Sequence, residues 1–234
     1  YRPPYSIFDS VYEDTMGDIP HRAWFHFVAE FLPHSAKPIA DLFSGPGYMA
    51  AAARAAGRVA VAVDRHLPFM RKAQGICADA VALPFAAGVF SALTASNAAL
   101  NYLTDTTALG RHFEECCRVL ESGGVYVFDV CPPERAALLA GRTFGALGGK
   151  VRFAHRYASA TRTLTTTVRI HNGEEISEEH VQKIFEPAEI AAAAAGAGFA
   201  VLRAVPNYGL RAEGENVPVM TYVLCKRAAA APKV

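Results

Sequence analysis

A short apolar run from Pro38 to Phe43 drops directly into Ser44-Gly45-Pro46-Gly47, and an alanine-rich segment then continues to Gly57. No other feature restricts the fold as much. A buried-strand pattern that ends in a glycine-rich turn and leaves it as a helix opens a βαβ unit. Glycine lets backbone approach a neighbour or a ligand closely. The helix beyond the turn offers unpaired N–H groups and the positive end of its dipole to an anionic group. Val59 to Val63 is the next strand pattern, and it ends in Asp64, 23 residues after Asp41. An acid at that place in a nucleoside-binding sheet accepts from both ribose hydroxyls, since a carboxylate only accepts and has lone pairs for two donors. The plainer reading of Asp64 is a solvated strand end or a helix cap.

The rhythm continues. Gly75 to Ala78 reads as a strand ending at Asp79, and Phe90 to Ala95 as a fourth, followed by the polar run Ser96-Asn97. Leu109, Phe113, Cys116 and Leu120 share one helical face, which Gly123-Gly124 stops before a fifth strand, Val125 to Val130. Strands alternating with helices mean a parallel sheet. Phe199 to Val205 and Val219 to Cys225 bring the expected strands to seven.

Two stretches break the pattern. Residues 1–37 read as a helical cap, with Ile7 and Val11, and Phe8 and Tyr12, at i, i+4 spacing and an apolar face at Trp24, Phe27, Val28 and Phe31. Residues 150–185 alternate apolar and polar side chains and contain Asn172-Gly173, a strong hairpin signal, so they predict a three-stranded antiparallel insertion. A helix and the last two strands occupy 186–227, and the core lies in 38–131, all within one domain.

The chain has 234 residues, 52% apolar and 19% charged, which excludes a disordered chain. Its net charge of +1, with lysines and arginines scattered, argues against a DNA partner. No run reaches the ~18 apolar residues of a membrane span. The five cysteines form no Cys-x-x-Cys pair, and neither a disulfide framework nor a zinc site is expected. The first residues lack the features of a signal peptide, and a cytoplasmic setting fits these observations.

Asp41-Leu42-x-x-Gly45-x-Gly47, then Asp64, then Ala78-Asp79-x-x-x-Leu83-Pro84-Phe85, then Asn97 to Leu103, resemble in order the first four motifs of the class I S-adenosylmethionine-dependent methyltransferases. Arg118-Val119-Leu120-x-x-Gly123-Gly124 is similar to the turn before that family's fifth strand. The resemblance is to the small-molecule type and spans nearly all of 5–227. It implies a Rossmann-like, doubly wound, mostly parallel α/β sheet of seven strands with a helical cap and a late antiparallel insertion. It also implies S-adenosylmethionine as cofactor and a small-molecule acceptor, in a monomer or homodimer. Carried over, Asp41 would bind the methionine ammonium directly or through water, with Ser44, Gly45 and Gly47 passing the methionine part. Asp64, beside Arg65, would hold the ribose, Asp79 and Ala80 the adenine edge, and Asn97 would sit near the sulfonium. Phe43 stands where the family usually has glycine, which would narrow the turn.

Three other readings compete. Gly45-Pro46-Gly47-Tyr48-Met49-Ala50 also fits a nicotinamide-dinucleotide fingerprint, although Asp41 would face the pyrophosphate unfavourably. A non-catalytic sensor or scaffold would make sense of Phe43. An aminopropyl transferase would need paired acids where Ser96 and Asn97 stand. In-line methyl transfer chiefly requires orientation, so no triad is expected and no metal. Tyr5 and Tyr12 from the cap, and Tyr102, His180 and Tyr208, are candidates for the acceptor side; Tyr12, Tyr102 and His180 are the candidate catalytic residues, with His180 the base because nearby carboxylates would favour its charged form. Their plainer readings are packing for the tyrosines and an exposed charged strand end for His180.

Overall fold

In the computed structural model, which describes residues 4–211 and 218–228, the cap is a 3₁₀ turn at Phe8–Ser10 followed by α1 (Tyr12–Met16) and α2 (His21–Ala29). The first unit is β1 (Ile39–Leu42), α3 (Tyr48–Ala55) and β2 (Ala60–Asp64); α4 (Leu67–Ala73), β3 (Ile76–Cys77) and β4 (Phe90–Ala95) follow. Then come α5 (Thr106–Val119), β5 (Leu120–Val130) and α6 (Pro133–Leu139). The insertion is β6 (Thr143–Ala146), β7 (Val151–Ala158), β8 (Thr163–Asn172) and β9 (Glu174–Lys183), and α7 (Pro187–Gly196), β10 (Phe199–Pro206) and β11 (Met220–Lys226) close the chain.

Seven strands form one sheet in the order β10-β11-β5-β4-β1-β2-β3. All pairs from β5 to β3 are parallel, and β11 runs against both neighbours. Every residue of β1 and of β4 is buried, as a parallel sheet covered on both faces requires. Alternate residues of β5 divide between two cores: Tyr126 and Phe128 pack under α5 and α7 with Phe113 and Ile190, and Val125 and Val127 pack under α2 and α3 with Trp24 and Met49. Asp105 caps α5 by accepting from the Ala108 N–H at 2.8 Å. Glu186 and Glu189 form a capping box on α7, with Pro187 at a first-turn position where its missing N–H costs nothing.

The second sheet has the order β6-β7-β8-β9, antiparallel throughout, so the insertion has four strands and begins at Thr143. The expected three strands missed β6 because Thr143-Phe144-Gly145-Ala146 carries one large apolar side chain and no alternation. Val151, Val168 and Ile170 of this sheet pack on Phe8 of the cap. Cap and insertion thereby meet over the carboxyl edge of the parallel strands. No helix of the described residues is long and apolar enough to cross a membrane.

Asn101, in the turn after β4, ties the two sheets together. Its amide donates to the Lys183 carbonyl at 2.7 Å and accepts from the Cys131 N–H at 2.8 Å, with the side chain fully buried. Asn101→Ala removes both partners from buried backbone groups and is expected to cost about 2–3 kcal/mol. Urea unfolding should show this as a lower midpoint with an unchanged slope; an unaltered midpoint would mean the two sheets are held together elsewhere.

Candidate functional site

β1, β2 and β4 all end at one edge, and the residues that follow them line a cavity of about 480 Å³. That volume lies in the range of small-molecule sites, about 300–1,000 Å³. Asp64 ends β2, and its two carboxylate oxygens each take one backbone donor, Gly45 N–H at 2.9 Å and His66 N–H at 2.8 Å. Each oxygen keeps a lone pair for a further donor. Gly45 is left-handed at φ +53°, a backbone conformation that glycine adopts without strain.

Further along the wall, Asp79 accepts from Val81 N–H at 3.1 Å, a short turn that leaves its carboxylate exposed. Ala80 is fixed from behind by His112, whose Nδ1 lies 2.9 Å from the Ala80 carbonyl and whose Nε2 lies 2.8 Å from the Tyr126 hydroxyl. Burial pushes His112 down to about 4, so the ring is neutral, donating at Nδ1 and accepting at Nε2. The sequence reading passed over His112, although it falls beside Leu109, Phe113 and Cys116 on the buried face of α5.

Asn97 and Ala98 both take left-handed backbone, φ +65° and +55°. Their N–H groups donate to the two oxygens of Asp129, at 2.9 Å from Asn97, and the Tyr208 hydroxyl donates to the same carboxylate at 2.7 Å. Tyr208 is buried and stacks on Trp24 with centroids 4.7 Å apart, so it supports Asp129 and does not line the acceptor side as expected.

Gly45, Asp64, Arg65, Asp79, Ala80 and Asn97 therefore share one cavity wall. Asp41, Ser44 and Gly47 lie behind it. Asp41 is 1% exposed and spends its carboxylate on Ala50 N–H at 3.1 Å and the Thr94 hydroxyl at 2.8 Å. The hydroxyl of Ser44 is buried without a partner, and Gly47, at φ +88°, leaves room for Ala73, 3.0 Å from where a Cβ would stand. Phe43 also adopts a left-handed backbone, φ +51°, and its ring lies 5.4 Å from that of His112. It forms part of the wall without closing the cavity.

A second cavity, about 460 Å³, lies between the cap and the insertion and shares Tyr5, Tyr12, Asn97 and Tyr102 with the first. His180 is 4% exposed and faces this cavity, which corrects the expectation of an exposed strand end. Its Nδ1 is 2.7 Å from the Tyr102 hydroxyl, and Nε2 is 2.8 Å from Glu178. The Tyr5 hydroxyl donates to that of Tyr102 at 3.1 Å. Glu178 also accepts from Tyr5 N–H, the Ser6 hydroxyl and Ile7 N–H, at 2.9, 3.1 and 2.8 Å. Burial alone would raise Glu178, but the His180 hydrogen bond and the Ile7 and Tyr5 N–H groups hold it below the usual carboxylate range. Tyr12 is raised to about 12 by burial and stays a neutral phenol.

A nucleoside suits the first cavity: Asp64 has lone pairs for ribose hydroxyls, Asp79 is an exposed acceptor, and the wall around them is apolar and aromatic, with Ala80 and Phe69. Residues 40–128 match a family model described as a methyltransferase domain. Among solved structures, an S-adenosylmethionine-dependent methyltransferase from Clostridium acetobutylicum superposes with TM-score 0.79 at 19% identity, over 94% of this chain and 98% of that one. The CcbJ methyltransferase from Streptomyces caelestis gives 0.80 at 20% identity, over 94% and 96%. The sugar N-methyltransferase KedS8 from Streptoalloteichus gives 0.75 at 18% identity, over 97% and 96%. At these identities the likeness is one of fold. No curated protein matches the chain by sequence.

Burial raises Asp41 to about 7, against the lowering effect of Thr94 and Ala50. An acid raised on folding binds its proton more tightly in the native state. Its stabilising contribution is complete below the unfolded value near 4 and is lost as pH rises through about 7. Asp41→Asn keeps the shape without the charge, accepting from Ala50 N–H and donating to the Thr94 hydroxyl as the protonated acid would. The stability of the variant relative to the parent should therefore rise between about pH 4 and pH 7, read from urea midpoints across that interval. A constant difference would show that Asp41 ionises freely in the folded protein.

Proposed function

We propose that the chain is a class I S-adenosylmethionine-dependent methyltransferase, a reading its methyltransferase-domain match and its fold support, and that it methylates a small molecule held in the cavity between cap and insertion. The observation that carries this is the shared wall: Tyr5, Tyr12, Asn97 and Tyr102 border both cavities. A methyl group leaving the first cavity would enter the second there. The neighbours described as a sugar N-methyltransferase and as an amino pentose methyltransferase support an acceptor of that size.

S-adenosylmethionine supplies, when bound, a methyl group already activated on a sulfonium sulfur. The chain's own residues have the work of holding and aligning. Asp64 accepts from the ribose hydroxyls, with Arg65 at the rim, while Asp79 and the Ala80 backbone meet the adenine edge. Asn97, on a backbone that Asp129 fixes, borders the passage between the cavities. Asp41, Ser44 and Gly47 shape the turn that carries Gly45. Tyr5 and Tyr12 close the top of the passage and keep water from the reacting atoms. Orientation alone supplies effective molarities of about 10⁵ M or more in such displacements.

Calorimetric titration with S-adenosylmethionine, S-adenosylhomocysteine and NAD tests the reading. The first two should bind, and Asp64→Ala should weaken both by about tenfold or more, roughly 1.4 kcal/mol. Binding of NAD in their place would favour the nicotinamide-dinucleotide reading, an NAD(P)-dependent oxidoreductase. Binding of none of the three would leave the scaffold reading.

A further inference from the structure

We propose that the methyl acceptor is a hydroxyl compound, neutral or anionic, and that its proton leaves through Tyr102 to His180; this rests on the methyl-transfer reading above. The wall of the second cavity is largely apolar, with Phe8, Leu164 and Val168, and its basic groups are Arg135, His155 and His180. Among the described residues it carries no aspartate or glutamate. A protonated amine brought there would shed water and meet no carboxylate of the described residues, and an unpaired buried charge is costly. A hydroxyl meets groups that both donate and accept.

The hydrogen bonds run in one direction. Glu178 holds four donors, so it is a carboxylate that only accepts, and His180 must present Nε2–H to it. That assigns Nδ1 as the acceptor, facing the Tyr102 hydroxyl at 2.7 Å. Tyr102 belongs to the wall common to the two cavities. Burial holds the phenols of Tyr5 and Tyr102 well above their usual range, so Tyr102 passes a proton on and does not keep its charge. Around His180 stand Glu178 on its own strand, Tyr102 from the turn after β4, and the rings of Tyr5 and Phe8 edge-on at 4.9 and 5.8 Å. Across the cavity are Tyr12, Arg135 and His155, and burial together with Arg135 keeps His155 below its usual range. Glu178 is the carboxylate that pairs with an imidazolium formed at His180, the arrangement by which an acid supports a histidine base.

In the step itself the acceptor oxygen bonds to the methyl carbon as the carbon–sulfur bond breaks, its electron pair going to sulfur. The hydroxyl proton passes to the oxygen of Tyr102 while the proton of Tyr102 moves to Nδ1 of His180, and water takes it once the products have left. Positioned bases of this kind contribute roughly 10²–10⁴-fold. Tyr102 touches the acceptor; His180 acts through it and Glu178 holds His180 in its tautomer.

The probe is 4-nitrophenol, whose phenolate absorbs in the visible, added to protein saturated with S-adenosylhomocysteine. The bound phenol should ionise with a constant about tenfold or more above that of the free phenol. In His180→Gln and in Tyr102→Phe the phenol should still bind but ionise as it does in solution, a separation of ionisation from affinity that a merely structural role would not produce. Tyr102→Phe keeps the ring and decides alone if the histidine variant does not fold. A bound phenol that titrates like the free one, or a shift that survives in Tyr102→Phe, overturns the relay. Failure of the phenol to bind, or binding of benzylammonium in its place, overturns the hydroxyl assignment. Failure of S-adenosylhomocysteine to bind the parent protein strikes at the methyl-transfer reading instead.

Discussion

The buried carboxylate of Asp129 holds the Asn97 and Ala98 N–H groups and the Tyr208 hydroxyl, and through them it joins β5, the end of β4 and the C-terminal strands. At the carboxyl edge of a parallel sheet the chain leaves the ladder, and the N–H groups it frees must find partners inside the molecule. Acids do this around the whole site. Asp64 takes Gly45 and His66, Asp41 takes Ala50 and Thr94, and Glu178 takes Tyr5, Ser6, Ile7 and His180. Burial opposes the charge of Asp41 and of Asp129. The hydrogen bonds they accept offset that cost, since a donor left unpaired in the interior would cost about 1–3 kcal/mol by itself.

These fixed donors let the backbone hold conformations it would otherwise avoid. Tyr5, Phe43, Asn97 and Ala98 all have positive φ without being glycine, at +68°, +51°, +65° and +55°. Each of them borders one or both of the cavities. Conformations of this kind cost of order 1–3 kcal/mol each and persist only where the surroundings over-determine them. Here the surroundings do: Glu178 holds the Tyr5 N–H, and Asp129 holds those of Asn97 and Ala98. Phe43 is set by packing against His112 and the core beneath α5. A wider glycine turn is therefore not needed to keep the cavity open.

The wall of the first cavity was legible because its geometry is local. A strand, a glycine-rich turn and an acid at the next strand end are neighbours in sequence as well as in space. Gly45, Asp64, Asp79, Ala80 and Asn97 reach the same wall for that reason. Asp41 was legible as a residue of the motif, yet its burial and its use in fixing Ala50 and Thr94 depend on how β4 lies beside β1. Tyr208 and His112 depend likewise on contacts distant in sequence. β9 misled for a different reason. Its pattern Ser177-Glu178-Glu179-His180-Val181 reads as a solvated strand, whereas Glu178 and His180 turn inward and Val181 is 40% exposed. A period of two says which residues share a face, not which face is covered.

That inversion separates the two halves of the molecule in kind. The parallel sheet buries apolar faces because burial of such area stabilises any sequence of the right pattern, and it is shared with structures only 18–20% identical. The insertion instead buries a glutamate and a histidine, which desolvation alone would reject. They are kept there by a chain of hydrogen bonds that begins in the cap and ends at Tyr102. Apolar packing of Phe8 on Val151 and Val168 also docks cap on insertion without these polar groups. The far end of the polar chain opens where the two cavities meet. Polar groups aligned at cost toward the wall that the two cavities share are explained by chemistry at that place more simply than by stability.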